Sequence, residues 1–187
     1  MNIYWCKIGH LNLDQAEYMK EIINQIEPKY VLETGFCTGR SASVLLQNCK
    51  KLEKMISIDI DLNYRKPHGK LYSKLFMRHF KNFKLIENDS KKVFNKKFFE
   101  IEFPNGIDWF TVDGDHTYEG CLYDLNNVYK YMNKNGVIII DDYKSGKPNG
   151  CEIPDVTNAC DTFYNEHPEI KKIEWYKDGK GFCVFKF

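Results

Sequence analysis

Five short runs dense in β-branched and aromatic residues punctuate this chain: YVLE from Tyr30, MISIDI from Met55, FKLIE from Phe83, IDWFTVD from Ile107 and GVIIID from Gly136. Each is short, largely apolar and bounded by polar or turn residues, the pattern of a strand covered on both faces of a sheet. Segments of helical spacing separate them. From Tyr118 to Met132, the residues Leu122, Leu125, Val128, Tyr129 and Met132 recur at three- and four-residue steps and make one apolar face. The first helix is predicted over Asp14 to Ile26, opened by a capping-box-like pair of Asp14 and Glu17, with Ala16, Met19, Ile22, Ile23 and Ile26 on one side and Pro28 as its stop. After the fifth run, a helix with Val156, Cys160 and Phe163 on one face precedes IKKIEWY and GFCVFKF, which Asp178 and Gly179 join as an antiparallel hairpin. Parallel neighbours need helical crossovers, and these are right-handed. The expected class is therefore α/β: a doubly wound, mostly parallel seven-stranded sheet ending in an antiparallel hairpin. In such sheets ligands bind beyond the carboxyl ends of the strands.

At 187 residues, one well-buried core is the expectation, and the chain reads as a single domain over 1–187. Lys+Arg 27 against Asp+Glu 26 leaves no basic excess, which argues against a nucleic-acid partner. No stretch approaches a membrane span and MNIYWCKIGHLNLDQ does not resemble a secretory leader, so a cytoplasmic protein with no membrane partner is expected. The seven cysteines are odd in number and contain no C-x-x-C, so neither a disulfide framework nor a zinc cluster is signalled. KSGKPNG, residues 144–150, reads as a surface loop.

The first run leads into VLETGFCTGRSASVLL, where Gly35 and Gly39 bracket a tight loop before a helix. Glycine there lets the backbone take positive φ and approach a ligand closely. The dinucleotide fingerprint G-x-G-x-x-G is absent, which argues against a pyrophosphate on the helix N-terminus and against a nicotinamide-dependent dehydrogenase. Asp59 ends the second run, where a carboxylate can accept both hydroxyls of a ribose. Asp61 falls in the following loop. In IENDS, Asn88, Asp89 and Ser90 can each bond an adenine amino group, or cap a helix.

At the far end of the sequence pattern, DWFTVDGDH puts Asp113 at the end of the fourth run with Asp115 and His116 just beyond, and GVIIIDDY puts Asp141 and Asp142 at the end of the fifth. Adjacent strand ends lie about 5 Å apart, so three carboxylates converge. Their repulsion is relieved by a hard cation, and oxygen ligation favours Mg²⁺, Mn²⁺ or Ca²⁺. Asp141 or Asp142 capping a loop or pairing with Lys144 is the bland alternative, as is His116 capping the helix that begins near Tyr118.

Taken in order, LETGFCTGRSA, ISIDI, IENDS, DWFTVDGDHTYEG and GVIIIDDY resemble the class I S-adenosylmethionine-dependent methyltransferases. The resemblance is nearest to the metal-dependent O-methyltransferases of the catechol and caffeoyl-CoA type and the related bacterial sugar O-methyltransferases. It implies a Rossmann-like fold with S-adenosylmethionine as cofactor. Glu33 and the Gly35–Gly39 loop with Ser41 then face the methionine part, Asp59 the ribose, and Asp89 with Ser90 the adenine. Asp113 serves both cofactor and metal, with Asp141 and Asp142 as further metal ligands. Either Asp115 or His116 is the catalytic base, the latter standing where those enzymes carry a lysine. The resemblance points to a small-molecule or sugar substrate bearing a hydroxyl, since the Pro-Pro-aromatic segment of nucleic-acid N-methyltransferases is replaced by DGDH. Alternatives from the same fold are a metal-independent small-molecule methyltransferase and a non-catalytic cofactor-binding partner subunit. Tyr4, Trp5, Tyr118 and Tyr143 are candidates for a pocket or for core, and so short a cover over the site suggests a homodimer.

Overall fold

The computed structural model describes residues 10–64, 66–144 and 154–187, so the readings for Tyr4, Trp5 and residues 145–150 lie outside the described residues. The chain divides into two compact units, Met1–Val93 and Phe94–Phe187. In the first, helices and strands alternate: α1 (Leu13–Ile26), β1 (Tyr30–Thr34), α2 (Arg40–Asn48), β2 (Lys54–Asp59), α3 (His68–His79), β3 (Phe83–Glu87) and α4 (Ser90–Val93). The strands are parallel in the order β3-β2-β1, with Thr34 level with Ile58 and Asp59 level with Glu87.

The second unit begins with α5 (Lys96–Glu102), β4 (Ile107–Val112) and α6 (Tyr118–Val128). After the 3₁₀ turn Tyr129–Tyr131 come β5 (Met132–Ile140), α7 (Pro154–Glu166), β6 (Lys171–Lys177) and β7 (Lys180–Lys186). Its strand order is β4-β5-β7-β6, with β4 and β5 parallel and β7 antiparallel to both neighbours. The fold is thus the mostly parallel seven-stranded α/β arrangement expected, closed by an antiparallel hairpin. Asp178 and Gly179 both take positive φ, 49° and 80°, which lets a two-residue connection follow the strand twist.

Buried strands explain the unbroken apolar runs. Val31 and Leu32 in β1, Trp109 and Phe110 in β4, and Val137–Ile140 in β5 are fully buried. Side chains of this kind contribute roughly 1.5–3 kcal/mol each on leaving water. Trp109 satisfies its indole N–H on Thr111 Oγ1 at 2.9 Å.

Two boundary expectations are corrected. The first helix starts one residue earlier, at Leu13, and its capping box is Asn12 with Gln15, not Asp14 with Glu17. The cap must be extended, and Asn12 is (φ −88°, ψ 178°), whereas Asp14 already lies in the first turn, where its charge complements the helix dipole. The helix from Tyr118 ends at Val128, and Met132 opens β5 instead. A register shift between Ile107 and Trp109, with Asn135 at φ 73°, absorbs the polar MNKNG segment into that strand.

Among the described residues no helix is long and apolar enough to cross a membrane. Among the described residues Cys37, Cys49, Cys121, Cys160 and Cys183 form no disulfide, and all of these but Cys37 are buried.

Candidate active site

In the first unit the loop after β1 is built around positive φ: Gly35 at 87°, Cys37 at 51° and Gly39 at 79°. A Cβ on Gly39 would lie 2.5 Å from the Phe36 ring, so space as well as φ requires glycine there. Two carboxylates hold this loop. Asp59, at the end of β2 and half-buried, accepts the Cys37 N–H at 2.7 Å on Oδ2 and the Asp61 N–H at 2.9 Å on Oδ1. Glu33 is fully buried, with Ser41 donating to Oε1 and Ser57 to Oε2. It therefore ties β1 to the first turn of α2 and to β2.

Asp89 does what a residue before a helix commonly does, accepting the Lys91 N–H at 2.9 Å on Oδ1, with Ser90 next as the first residue of α4. Sequence reasoning missed Ser57. Its signal was available, because a lone hydroxyl in the buried run MISID needs a partner, and Glu33 is the lone charge in YVLET.

In the second unit, Val112 is level with Ile140 and the Asp141 N–H donates to the Val112 carbonyl at 3.0 Å, so the residues following β4 and β5 emerge side by side. The side chains brought together are Asp113, His116 and Asp142, which offer ligand atoms all within 4.8 Å of one another. His116 Nε2 lies 3.4 Å from Asp113 Oδ1 and 3.2 Å from Asp142 Oδ2. Asp141 is buried, and its Oδ1 accepts the Asp142 N–H at 2.8 Å, outside that ligand group. Of the three acids expected to share one ion, Asp113 and Asp142 thus stand together, with the His116 imidazole rather than Asp141 as the third group.

His116 does not cap α6. Thr117 does, accepting the Gly120 N–H at 3.1 Å. Asp115 is exposed, its Oδ1 accepts the Thr117 N–H at 3.0 Å, and its carboxyl lies over Gly120, where a Cβ would meet Asp115 Cγ at 2.1 Å. Lys144 pairs with Glu174 at 2.6 Å, whereas Lys180, a residue the sequence reading left unassigned, stands 3.5 Å from Asp142 Oδ1.

Electrostatics follow from that packing. Hydrogen bonds with Asp113 and Asp142 outweigh burial and hold the His116 imidazolium up to about 11. Burial raises Asp113 above the usual carboxylate range, against the pull of His116. Asp141 is raised further, by burial and by the charges of Asp113 and Asp142. For Asp142 burial is overcome by His116 and Lys180, which hold it low. At neutral pH His116 is thus a donor between two carboxylates, and the acids already have two cations beside them.

Of the aromatic candidates, Tyr143 belongs to the core. It is 1% exposed, and its hydroxyl lies 3.0 Å from Asp161 and 2.7 Å from Glu174 and accepts from Lys172 at 2.7 Å. Tyr118 is half-buried and bonds Thr162 at 3.2 Å.

Residues 32–143 match the family model described as a methyltransferase domain. Over 138 residues the chain is 34% identical to an uncharacterised protein of Acanthamoeba polyphaga mimivirus, a match covering 72% of this chain and 60% of that relative. The chain thus spans about three fifths of the length of that curated relative. Among solved structures it resembles cofactor-bound Rv0187 from MTB, with TM-score 0.75, 13% identity, and coverage of 98% of this chain and 85% of the other. It also resembles an O-methyltransferase from Bacillus cereus in complex with SAH, with TM-score 0.74, 12% identity, and coverage of 95% and 83%. At such identities the likeness is one of fold, and that fold is Rossmann-like.

Proposed function

The chain belongs to the methyltransferase-domain family, and from that premise we propose that it transfers the methyl group of S-adenosylmethionine to a hydroxyl of a small molecule or sugar, with a divalent cation assisting. The observation that carries the reading is the convergence of Asp113, His116 and Asp142 at the ends of β4 and β5. The structural neighbour from Bacillus cereus, an O-methyltransferase with SAH, supports the choice of cofactor and of oxygen as acceptor.

The cofactor is assigned to the first unit. Asp59 accepts the ribose hydroxyls with the lone pairs left after its bonds to Cys37 and Asp61. Gly35 and Gly39 let the loop approach the methionine part, Ser41 and Glu33 stand behind that loop, and Asp89 and Ser90 lie toward the adenine.

The donor set of the second unit fits a cation. Two carboxylates and an imidazole suit Mn²⁺ or Mg²⁺, the nitrogen favouring Mn²⁺ over Mg²⁺. Asp113, His116 and Asp142 would hold it, His116 only after giving up its proton to solvent, with Asp141 accepting the Asp142 backbone N–H. When bound, such an ion lowers the pKa of an acceptor hydroxyl. Asp115, exposed two residues beyond Asp113, takes the hydroxyl proton as the oxygen attacks the sulfonium methyl in line. The sulfur leaves as a neutral thioether, so the product is an ether and the proton rests on Asp115. The reading carries with it a cytoplasmic, homodimeric enzyme acting as one domain over 1–187.

A second reading, metal-independent methyl transfer, draws on one observation: His116 and Lys180 already compensate Asp142. Incubating the protein with methyl-labelled S-adenosylmethionine and a panel of catechols, hydroxycinnamates and sugars tests both. Label in an ether product only with Mn²⁺ or Mg²⁺ supports the first reading. Equal label in chelator supports the second, and no label in any acceptor contradicts both.

A further inference from the structure

We propose that Lys180 is a built-in counter-cation of Asp142 that competes with a divalent ion for the same carboxylate and so sets how tightly the site takes one. This rests on the reading of Asp113, His116 and Asp142 as the residues that hold the ion.

Both carboxylate oxygens of Asp142 face a nitrogen: Oδ2 lies 3.2 Å from His116 Nε2 and Oδ1 lies 3.5 Å from the Lys180 ammonium. The Asp142 and Lys180 side chains are only 15% and 29% exposed, so water screens this pair less than a surface pair.

The fold delivers the lysine to this place. Lys180 opens β7 directly after the Asp178–Gly179 turn, and β7 pairs with β5 so that Cys183 is level with Ile140, one residue before Asp141. Asp142 meets it in the left-handed region at φ 59°. Lys144 is no substitute, because it is paired with Glu174.

An ammonium and a divalent ion on one carboxylate repel each other, so loading the ion requires the lysine to withdraw, and its flexible four-carbon stem permits that. The ion therefore binds against a competitor that the chain itself supplies. Lys180 acts through Asp142 as a positioning residue. It also answers the repulsion among the acids that the sequence alone left to a metal.

The test is Mn²⁺ binding to the full chain, followed by the electron paramagnetic resonance of free Mn²⁺, for the wild type, Lys180→Gln, Lys180→Met and Lys180→Arg. S-adenosylmethionine affinity serves as the control for folding. Removing the competing charge should tighten Mn²⁺ about tenfold in both neutral variants, while Lys180→Arg stays near the wild type and cofactor affinity is unchanged. The two neutral variants guard against one of them failing to fold. Equal Mn²⁺ affinity in the wild type and the neutral variants overturns the role of Lys180 and leaves the metal site standing. No Mn²⁺ binding in any of them, with cofactor binding intact, overturns the metal reading and this proposal with it.

Discussion

Asp142→Asn is expected to lower methyl transfer about a hundredfold or more while the fold and the cofactor affinity stay near the wild type. The substitution is chosen to isolate charge. Asp142 sits at φ 59°, a conformation that asparagine tolerates about as well as aspartate, so the turn after β5 keeps its shape. What disappears is the negative charge that Nε2 of His116 and Nζ of Lys180 both face, at 3.2 Å and 3.5 Å. With that charge gone, one of the three groups able to share an ion becomes a neutral, weaker ligand. The readouts are initial rates under saturating cofactor and Mn²⁺, thermal unfolding and calorimetric cofactor affinity. A variant with the wild-type rate would remove Asp142 from the chemistry.

Glu33→Ala is expected to cost about 3–5 kcal/mol of stability, the larger structural effect of the two. The fully buried carboxylate is the acceptor for Ser41 and Ser57, hydroxyls on α2 and β2 that are themselves buried. Truncation leaves both without that acceptor and opens a cavity where three elements meet. Glu33→Gln keeps the shape and one acceptor oxygen, so its cost should be about 1–3 kcal/mol. Urea unfolding of the two variants measures the difference, with the change read from the midpoint at constant slope. Wild-type unfolding in Glu33→Ala combined with lost cofactor binding would instead mark Glu33 as a direct ligand.

How far such residues could be read from the sequence depends on what fixes them. Strands such as GVIIID and IDWFTVD were legible because burial on both faces leaves an unbroken apolar run, and the acids after them were legible because ligands gather at strand ends. The Asp178–Gly179 hairpin followed from turn chemistry alone. The helix start was misread by a competing pattern, since Asp14 and Glu17 satisfy the capping spacing as well as Asn12 and Gln15 do, and only the extended backbone at Asn12 decides between them.

The side-chain partners were less legible. That Ser57 faces Glu33 depends on the parallel register, which sets Glu33 level with Ser57. That His116 joins Asp113 and Asp142 while Asp141 turns under the chain depends on Asp142 adopting positive φ, which two consecutive aspartates do not announce. Lys180 was invisible for a different reason: 38 residues separate it from Asp142, and only the β5–β7 pairing brings the hairpin to that carboxylate.

The proposed binding of S-adenosylmethionine is tested most directly by calorimetric titration of that cofactor into the wild type, Asp59→Ala and Asp142→Asn. Micromolar binding to the wild type, retention of that affinity in Asp142→Asn, and its loss in Asp59→Ala, where the proposed ribose acceptor and the clasp on Cys37 go together, are the expected results. Wild-type protein that takes up no cofactor, with or without Mn²⁺, would contradict S-adenosylmethionine-dependent methyl transfer by this chain.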